Sequence, residues 1–405
     1  MSRLAQSVER CVECWLPVAV YSVLPTLGVI AGPSYASLVF GLAVVRLLYG
    51  LGVRRQWPAV DLDLLWIAVG FVVLCWASAA WSIVPRHSLA SALQMTAIAA
   101  GSLVFIAQRS LPGPVAERVF QVLLVACVVG AVMVFIDKEL DFPLESLLTA
   151  RPGVQSSTKY NRGLDYLVLI AWPELAWLWW RRYWKCSVVF AVAVIAALTL
   201  GSSLAGRLAG VSGAIVLVLA WCVPRLVAAG LAWGTVALAA LLPVALRGLS
   251  ANRALLVPYI KTSGINRLEI WDYTTARVLE RPLLGWGLSS ASAVPIRADE
   301  LAQYVYVRGT GTYSHNQWLE LWIETGALGA MVGLVLAIVV LRRIRRLPAW
   351  VRPFGYAAFA SAMTVACINF EVTTDSWWAA LAASGFLFMT LGRIVADGQG
   401  RSAVG

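Results

Sequence analysis

Tyr313-Ser314-His315-Asn316-Gln317-Trp318 opens polar and passes at once into an apolar run that continues to Leu341, where Arg342-Arg343-Ile344-Arg345-Arg346 closes it. A helix over 315–341 is longer than the roughly 20 residues needed to cross a bilayer. Its basic stop lies at one end and a histidine at the other. The rest of the chain repeats this pattern of apolar runs with basic stops.

Composition agrees: 60% of the residues are hydrophobic and 13% charged, against about 25% charged in an average soluble domain. Runs of this length predict helices, because barrel strands alternate over only about ten residues. The reading is an all-α polytopic membrane protein with about 12 transmembrane helices, a single integral membrane domain over 1–405. The helices are placed at 12–31, 34–52, 62–81, 89–107, 115–137, 164–180, 186–205, 208–223, 226–246, 315–341, 351–370 and 377–394. The first run ends at Gly32-Pro33 and lacks a small-residue cleavage site, so it is expected to stay as a signal anchor.

Arg54-Arg55, Arg109, Arg181-Arg182, Arg225, Arg342–Arg346 and Arg393 fall on alternate connections. The positive-inside rule makes those connections cytoplasmic, together with both termini. Two larger loops then lie outside, over 138–163 and 247–314. They and the adjoining helix ends carry Arg86, Lys138, Arg151, Lys159, Arg162, Arg207, Arg247, Arg253, Lys261, Arg267, Arg277, Arg281, Arg297 and Arg308. So many cations on the outer face point to an anionic ligand, although long loops escape the charge rule and ordinary solvation also fits. Arg46, near the cytoplasmic end of its span, reads as a snorkelling side chain.

The loop over 247–314 has its own helix, from an Asn266 cap with Glu269 closing a capping box to a stop before Pro282. Leu268, Trp271, Thr275 and Leu279 share one face, packed on the bundle or lying in the interface. Gly285-Trp286-Gly287 turns the chain back. In the last loop residues, Ser314 and Gln317 form a second capping box that makes His315 the first helical residue. The helix dipole and nearby arginines both disfavour imidazolium there, which suits a general base. A histidine that only hydrogen-bonds at the interface fits as well. Arg207, between two closely spaced spans, reads either as a phosphate clamp or as snorkelling to the interface. Asp165 is expected at the interface, and Gly329-Ala330-Met331-Val332-Gly333 reads as a close helix-packing step.

Seven cysteines, all in or beside apolar runs, argue against a disulfide framework. There is no P-loop, nucleotide fingerprint, Ser-His-Asp spacing or metal-ligand cluster. No cofactor, metal or nucleic-acid partner is expected. What remains is metal-free chemistry on an anionic, lipid-linked substrate.

At these residues the chain resembles the O-antigen ligase/polymerase family of polytopic glycosyltransferases. His315-Asn316, nine residues from Gln317 to Thr325, then Gly326-Ala327-Leu328-Gly329 match the family's histidine motif. Arg267-Leu268-Glu269-Ile270-Trp271 and Arg281-Pro282-Leu283-Leu284-Gly285-Trp286-Gly287 are similar to the stretch that precedes it, and Ser202-Ser203 to Arg207 is similar to its Ser-Arg helix junction. The resemblance implies a GT-C-like bundle in the bacterial inner membrane with the loop 247–314 on the periplasmic side bearing part of the active site. It implies an O-antigen ligase that moves a glycan from undecaprenyl pyrophosphate to a sugar hydroxyl of lipid A–core, with inversion and without nucleotide or metal. His315 would activate the hydroxyl, and Arg207 and Arg267 would bind the departing pyrophosphate. Arg162, Lys159, Asn316 and Arg281 are further candidates for substrate contact. Membrane lipids are the other partner. A polymerase of the same family stays open, as does a flippase for a lipid-linked anion, which would not need His315 as a base.

Overall fold

The computed structural model describes residues 3–108, 110–140, 160–252, 255, 262–304, 306–307 and 313–402. Arg109, Arg151, Lys159, Arg253, Lys261 and Arg308 lie outside the described residues. No strand occurs among those described.

In chain order the helices are α1 (Arg3–Arg10), continued through a π-helical turn at Cys11–Trp15 into α2 (Leu16–Ile30), α3 (Ser34–Gly52), α4 (Leu62–Ser78), α5 (Pro85–Ile106) and α6 (Gly113–Glu139). Then come α7 (Asn161–Trp180), α8 (Trp184–Leu200), α9 (Leu204–Cys222), α10 (Pro224–Ala251), α11 (Thr262–Glu280), α12 (Gln317–Arg345), α13 (Arg352–Ala366) and α14 (Asp375–Ser402). A helix lies at every position expected from the apolar runs. Among the described residues, eight helices are long and apolar enough to cross a membrane by themselves, while Leu62–Ser78 and Trp184–Leu200 are apolar but shorter. The chain is a multi-pass membrane protein.

Helix α7 falls outside that measure for a physical reason. Its residues from Gly163 to Leu178 are buried almost without interruption, Asp165 and Glu174 included. Surrounded by protein, it does not need a lipid-facing apolar surface, so its hydropathy understates its depth. Pro173 removes one intrahelical donor, and the Leu169 carbonyl takes a hydrogen bond from Ser384 Oγ at 3.0 Å. Arg46 does not snorkel. It is buried, donates to Gln108 Oε1 at 2.8 Å and pairs with Glu13 at 2.7 Å. All seven cysteines are free.

Two local readings of the outer loop change. Helix α11 starts at Thr262, so Asn266 lies inside it and caps nothing. Glu269 accepts instead from the main-chain N–H groups of Tyr306 and Val307, at 2.6 and 3.0 Å. The helix buries more than one stripe: Leu268, Ile270, Tyr273, Thr275, Arg277 and Val278 are covered while Leu279 is exposed. It ends at Glu280, before Pro282, as the sequence predicts.

Helix α12 is broken at Gly326, whose φ of 65° and ψ of −156° are not helical. The turn after α11 docks into this break. Trp286 N donates to Ile323 O and Gly287 N to Glu324 O, both at 2.8 Å, and Ala327 N donates to Pro282 O at 2.8 Å. The break would otherwise leave buried backbone groups unpaired. Gly329 and Gly333 face Thr325, Leu321 and Trp318 of the same helix, so this pair of glycines accommodates the bend where a neighbouring helix was expected.

Candidate functional site

His315 precedes α12 and is not part of it. The cap is Asn316, extended at φ −152° and ψ 105°, whose Oδ1 accepts from Leu319 N at 3.0 Å. Asn and Ser cap equally well, so the sequence permits either register. Ser314 is drawn elsewhere: its hydroxyl donates to Asn316 O at 2.9 Å, with Glu320 Oε2 an alternative acceptor at 3.1 Å. Gln317 accepts from Trp377 Nε1 at 3.0 Å and closes no capping box with Ser314. His315 itself has a φ of 48°, a left-handed backbone that histidine tolerates better than most residues. Trp271 of α11 fixes the same turn by donating to Ser314 O at 2.8 Å.

Burial lowers the His315 pKa, and the Arg267 and Arg162 guanidinium groups lower it further, while a hydrogen bond to the Asn369 main chain acts the other way. The net direction is below 6.5, towards the neutral ring. The causes are burial first and then the two cations.

Those cations come from distant parts of the chain. Arg162 lies in the first turn of α7 and Arg267 in α11. Burial lowers the Arg267 pKa, and the charge of Asp165 opposes that shift. Arg207, in the first turns of α9, donates from Nε to Leu198 O at 3.0 Å and from Nη2 to Gly201 O at 2.7 Å. It thereby closes the carbonyl end of α8, and the guanidinium keeps further N–H groups beyond these two bonds. Its side chain is half-buried. Ser203 caps α9 through Gly206 N at 3.0 Å and donates to Asp165 Oδ1 at 2.7 Å.

The remaining sequence candidates are placed differently. Asn316 spends its amide oxygen on the α12 cap. Arg281 stacks 4.1 Å over Trp286 in the turn that docks at the Gly326 break. Lys159 lies outside the described residues.

Three groups at the site escaped the sequence reading. Asp165 is fully buried within the protein, and it accepts from Ser203 and from Asn369 Nδ2. Its signal was the i, i+3 spacing from Arg162, which puts both on one side of α7. Asn369 and Glu371 lie in the short connection from α13 to α14. Burial raises the Glu371 pKa and Arg162 opposes that rise. Span alternation places this connection on the His315 side, so its polar residues were readable as site candidates.

Among the described residues no group of three or more His, Cys, Asp or Glu side chains is arranged to hold a metal ion. The arrangement can do two things. A neutral imidazole can take a proton from a hydroxyl, and guanidinium groups can hold phosphate oxygens through paired hydrogen bonds.

Residues 188–334 match the family model described as O-antigen ligase, a segment that contains Arg207, Arg267 and His315. Over nearly its whole length the chain is similar to a protein of Rickettsia bellii named as a candidate polysaccharide ligase, 22% identical over 396 residues, covering 91% of this chain and 95% of the relative. A protein of Rickettsia conorii with the same kind of name is 23% identical over 390 residues, covering 88% and 92% of the two chains. One of Rickettsia felis is 22% identical over 384 residues, again covering 88% and 92%.

Proposed function

We propose, from the match of residues 188–334 to the O-antigen ligase family, that this protein transfers a glycan from undecaprenyl pyrophosphate to a sugar hydroxyl of lipid A–core. The observation that carries the reading is that the charges of Arg267 and Arg162, from separate parts of the chain, both act on the half-buried ring of His315. In this reading the His315 ring takes the proton of the acceptor hydroxyl. The oxygen attacks the anomeric carbon as the bond from that carbon to the pyrophosphate oxygen breaks, and the configuration inverts. Arg267 and Arg207 bind the leaving pyrophosphate, with Arg162 beside them, and neutralise charge as it develops. The donor's own pyrophosphate linkage drives the transfer, so no nucleotide enters. The site would face the periplasm from the bacterial inner membrane, with both termini cytoplasmic.

The test is complementation of a Gram-negative host that lacks its ligase and still makes lipid-linked O-antigen. Wild type is expected to restore a ladder on lipid A–core, and His315→Ala at matched membrane levels to give none. A ladder from both would remove His315 from the chemistry. Restored chain length in a polymerase-deficient host, without ligation, would move the assignment to a polymerase.

A further inference from the structure

An open cleft of about 430 Å³ is lined by Trp179, Trp180, Arg182, Trp184 and Trp350. Helix α7 carries Arg162 in its first turn and ends at Trp180. Along the helix axis these two residues are about 27 Å apart, so the cleft lies at the opposite end of α7 from Arg162, and the proposed transfer does not use it. Trp179 forms its wall. Its ring stands edge-on to that of Trp184, with centroids 4.4 Å apart, and is backed by Trp221 at 5.9 Å and Phe354 at 6.3 Å. Residues of α8, α9 and α13 therefore hold one ring in place.

The turn after α7 puts a cation at the rim. Tyr183 N donates to Leu178 O at 3.0 Å and Arg182 N to Trp179 O at 3.1 Å, the two bonds that close a helix through a left-handed residue. Glycine suits that position, yet Arg182 takes it, at φ 58°. Among the described residues its exposed side chain has no hydrogen-bond or ion-pair partner. The neighbouring Arg181 instead lies 3.8 Å from Glu117 and over the rings of Trp180 and Tyr183. No acidic residue lines the cleft, and Lys185 is a further exposed cation beside Trp184. From Trp184 an exposed apolar stripe runs along α8 through Val188, Val192 and Ile195.

We propose that this cleft binds an anionic glycerophospholipid, with its phosphate on Arg182, its headgroup among the tryptophans and one acyl chain along the α8 stripe. Tryptophans at helix ends sit at headgroup depth, and the apolar stripe continues from there into the hydrocarbon. Arg182 carries a backbone strain that no internal contact offsets, and a lipid phosphate supplies the missing contact through charge-assisted hydrogen bonds. An ammonium headgroup would find cations beside it and no carboxylate to pair with, so the site selects net negative charge.

The test titrates the full-length protein, delipidated in mild detergent, with phosphatidylglycerol or with phosphatidylcholine of the same acyl chains, and counts bound lipid by native mass spectrometry. One phosphatidylglycerol should be retained at concentrations where phosphatidylcholine is not. Arg182→Gln should weaken that binding at least about tenfold, the worth of one hydrogen bond to a charged group. Arg182→Gly removes the cation and suits the left-handed backbone, so its Tm without lipid should not fall while its lipid binding is lost. Arg343→Gln removes a cation from the last turn of α12 that already pairs with Asp61 and Asp63, and it should bind as the wild type does. No retained phosphatidylglycerol, equal retention of the two lipids, or undiminished binding in Arg182→Gly would overturn the proposal.

Discussion

A Cβ on Gly326 would lie 2.3 Å from the carbonyl oxygen of Leu283. The break in α12 and the turn after α11 are therefore one structural unit, built from two sequence motifs about forty residues apart by chain order. This gives the glycine of the histidine motif a physical role. It admits a backbone turn whose N–H groups then pair with carbonyls near the break.

Gly326→Ala should destabilise the protein without touching the site. Its backbone region is one that essentially only glycine occupies, at roughly 1–3 kcal/mol for any other residue, and the contact with Leu283 adds to that. A lowered unfolding temperature in detergent, with poor recovery from membranes, is the expected outcome. An unchanged Tm would mean that the turn is not docked there.

The pH profile should carry the signature of a cation-flanked base. Because His315 must be neutral to accept a proton, kcat should fall on the acid side, with a midpoint below 6.5. Burial, Arg267 and Arg162 all hold the pKa down, so removing a cation raises it. Arg162→Gln should move the acid limb to higher pH. A limb that stays in place in this variant would show that Arg162 does not face the ring.

Arg207→Lys separates charge from geometry. Lysine keeps the positive charge but lacks the planar fork that spans the Leu198 and Gly201 carbonyls and that the proposed pyrophosphate contact needs. Losing one charge-assisted hydrogen bond is worth about 1.5–3 kcal/mol. Ligation in membranes should therefore drop at least about tenfold, by roughly that energy. Full activity in Arg207→Lys would mean that a point charge suffices.

Arg277 and Arg297 should differ sharply. Arg277 is 2% exposed and pairs with Glu280 at 2.7 Å and with Glu300, while Arg297 is 57% exposed and reaches Glu280 at 3.0 Å. Breaking a buried pair by removing one partner costs about 3–5 kcal/mol, and an exposed pair contributes about 0–1 kcal/mol. Thermal unfolding should show a large loss for Arg277→Ala and almost none for Arg297→Ala. Equal losses would contradict the burial of Arg277.

The sequence by itself determined the helices, because apolar run length and basic or proline stops are local signals. It also singled out His315, Arg207, Arg267 and Arg162, since cations and a lone histidine stand out against apolar surroundings. Only the tertiary structure decided which of two equally good caps, Ser314 or Asn316, begins α12, because partners from α11, α12 and α14 compete for the neighbouring side chains. It alone placed Asp165 in the interior, where a carboxylate persists only with donors supplied by Ser203 and Asn369 from other parts of the chain. It also decided that Arg281 stacks on Trp286. Local periodicity fixes an element, but the environment of a charge depends on what distant elements bring to it.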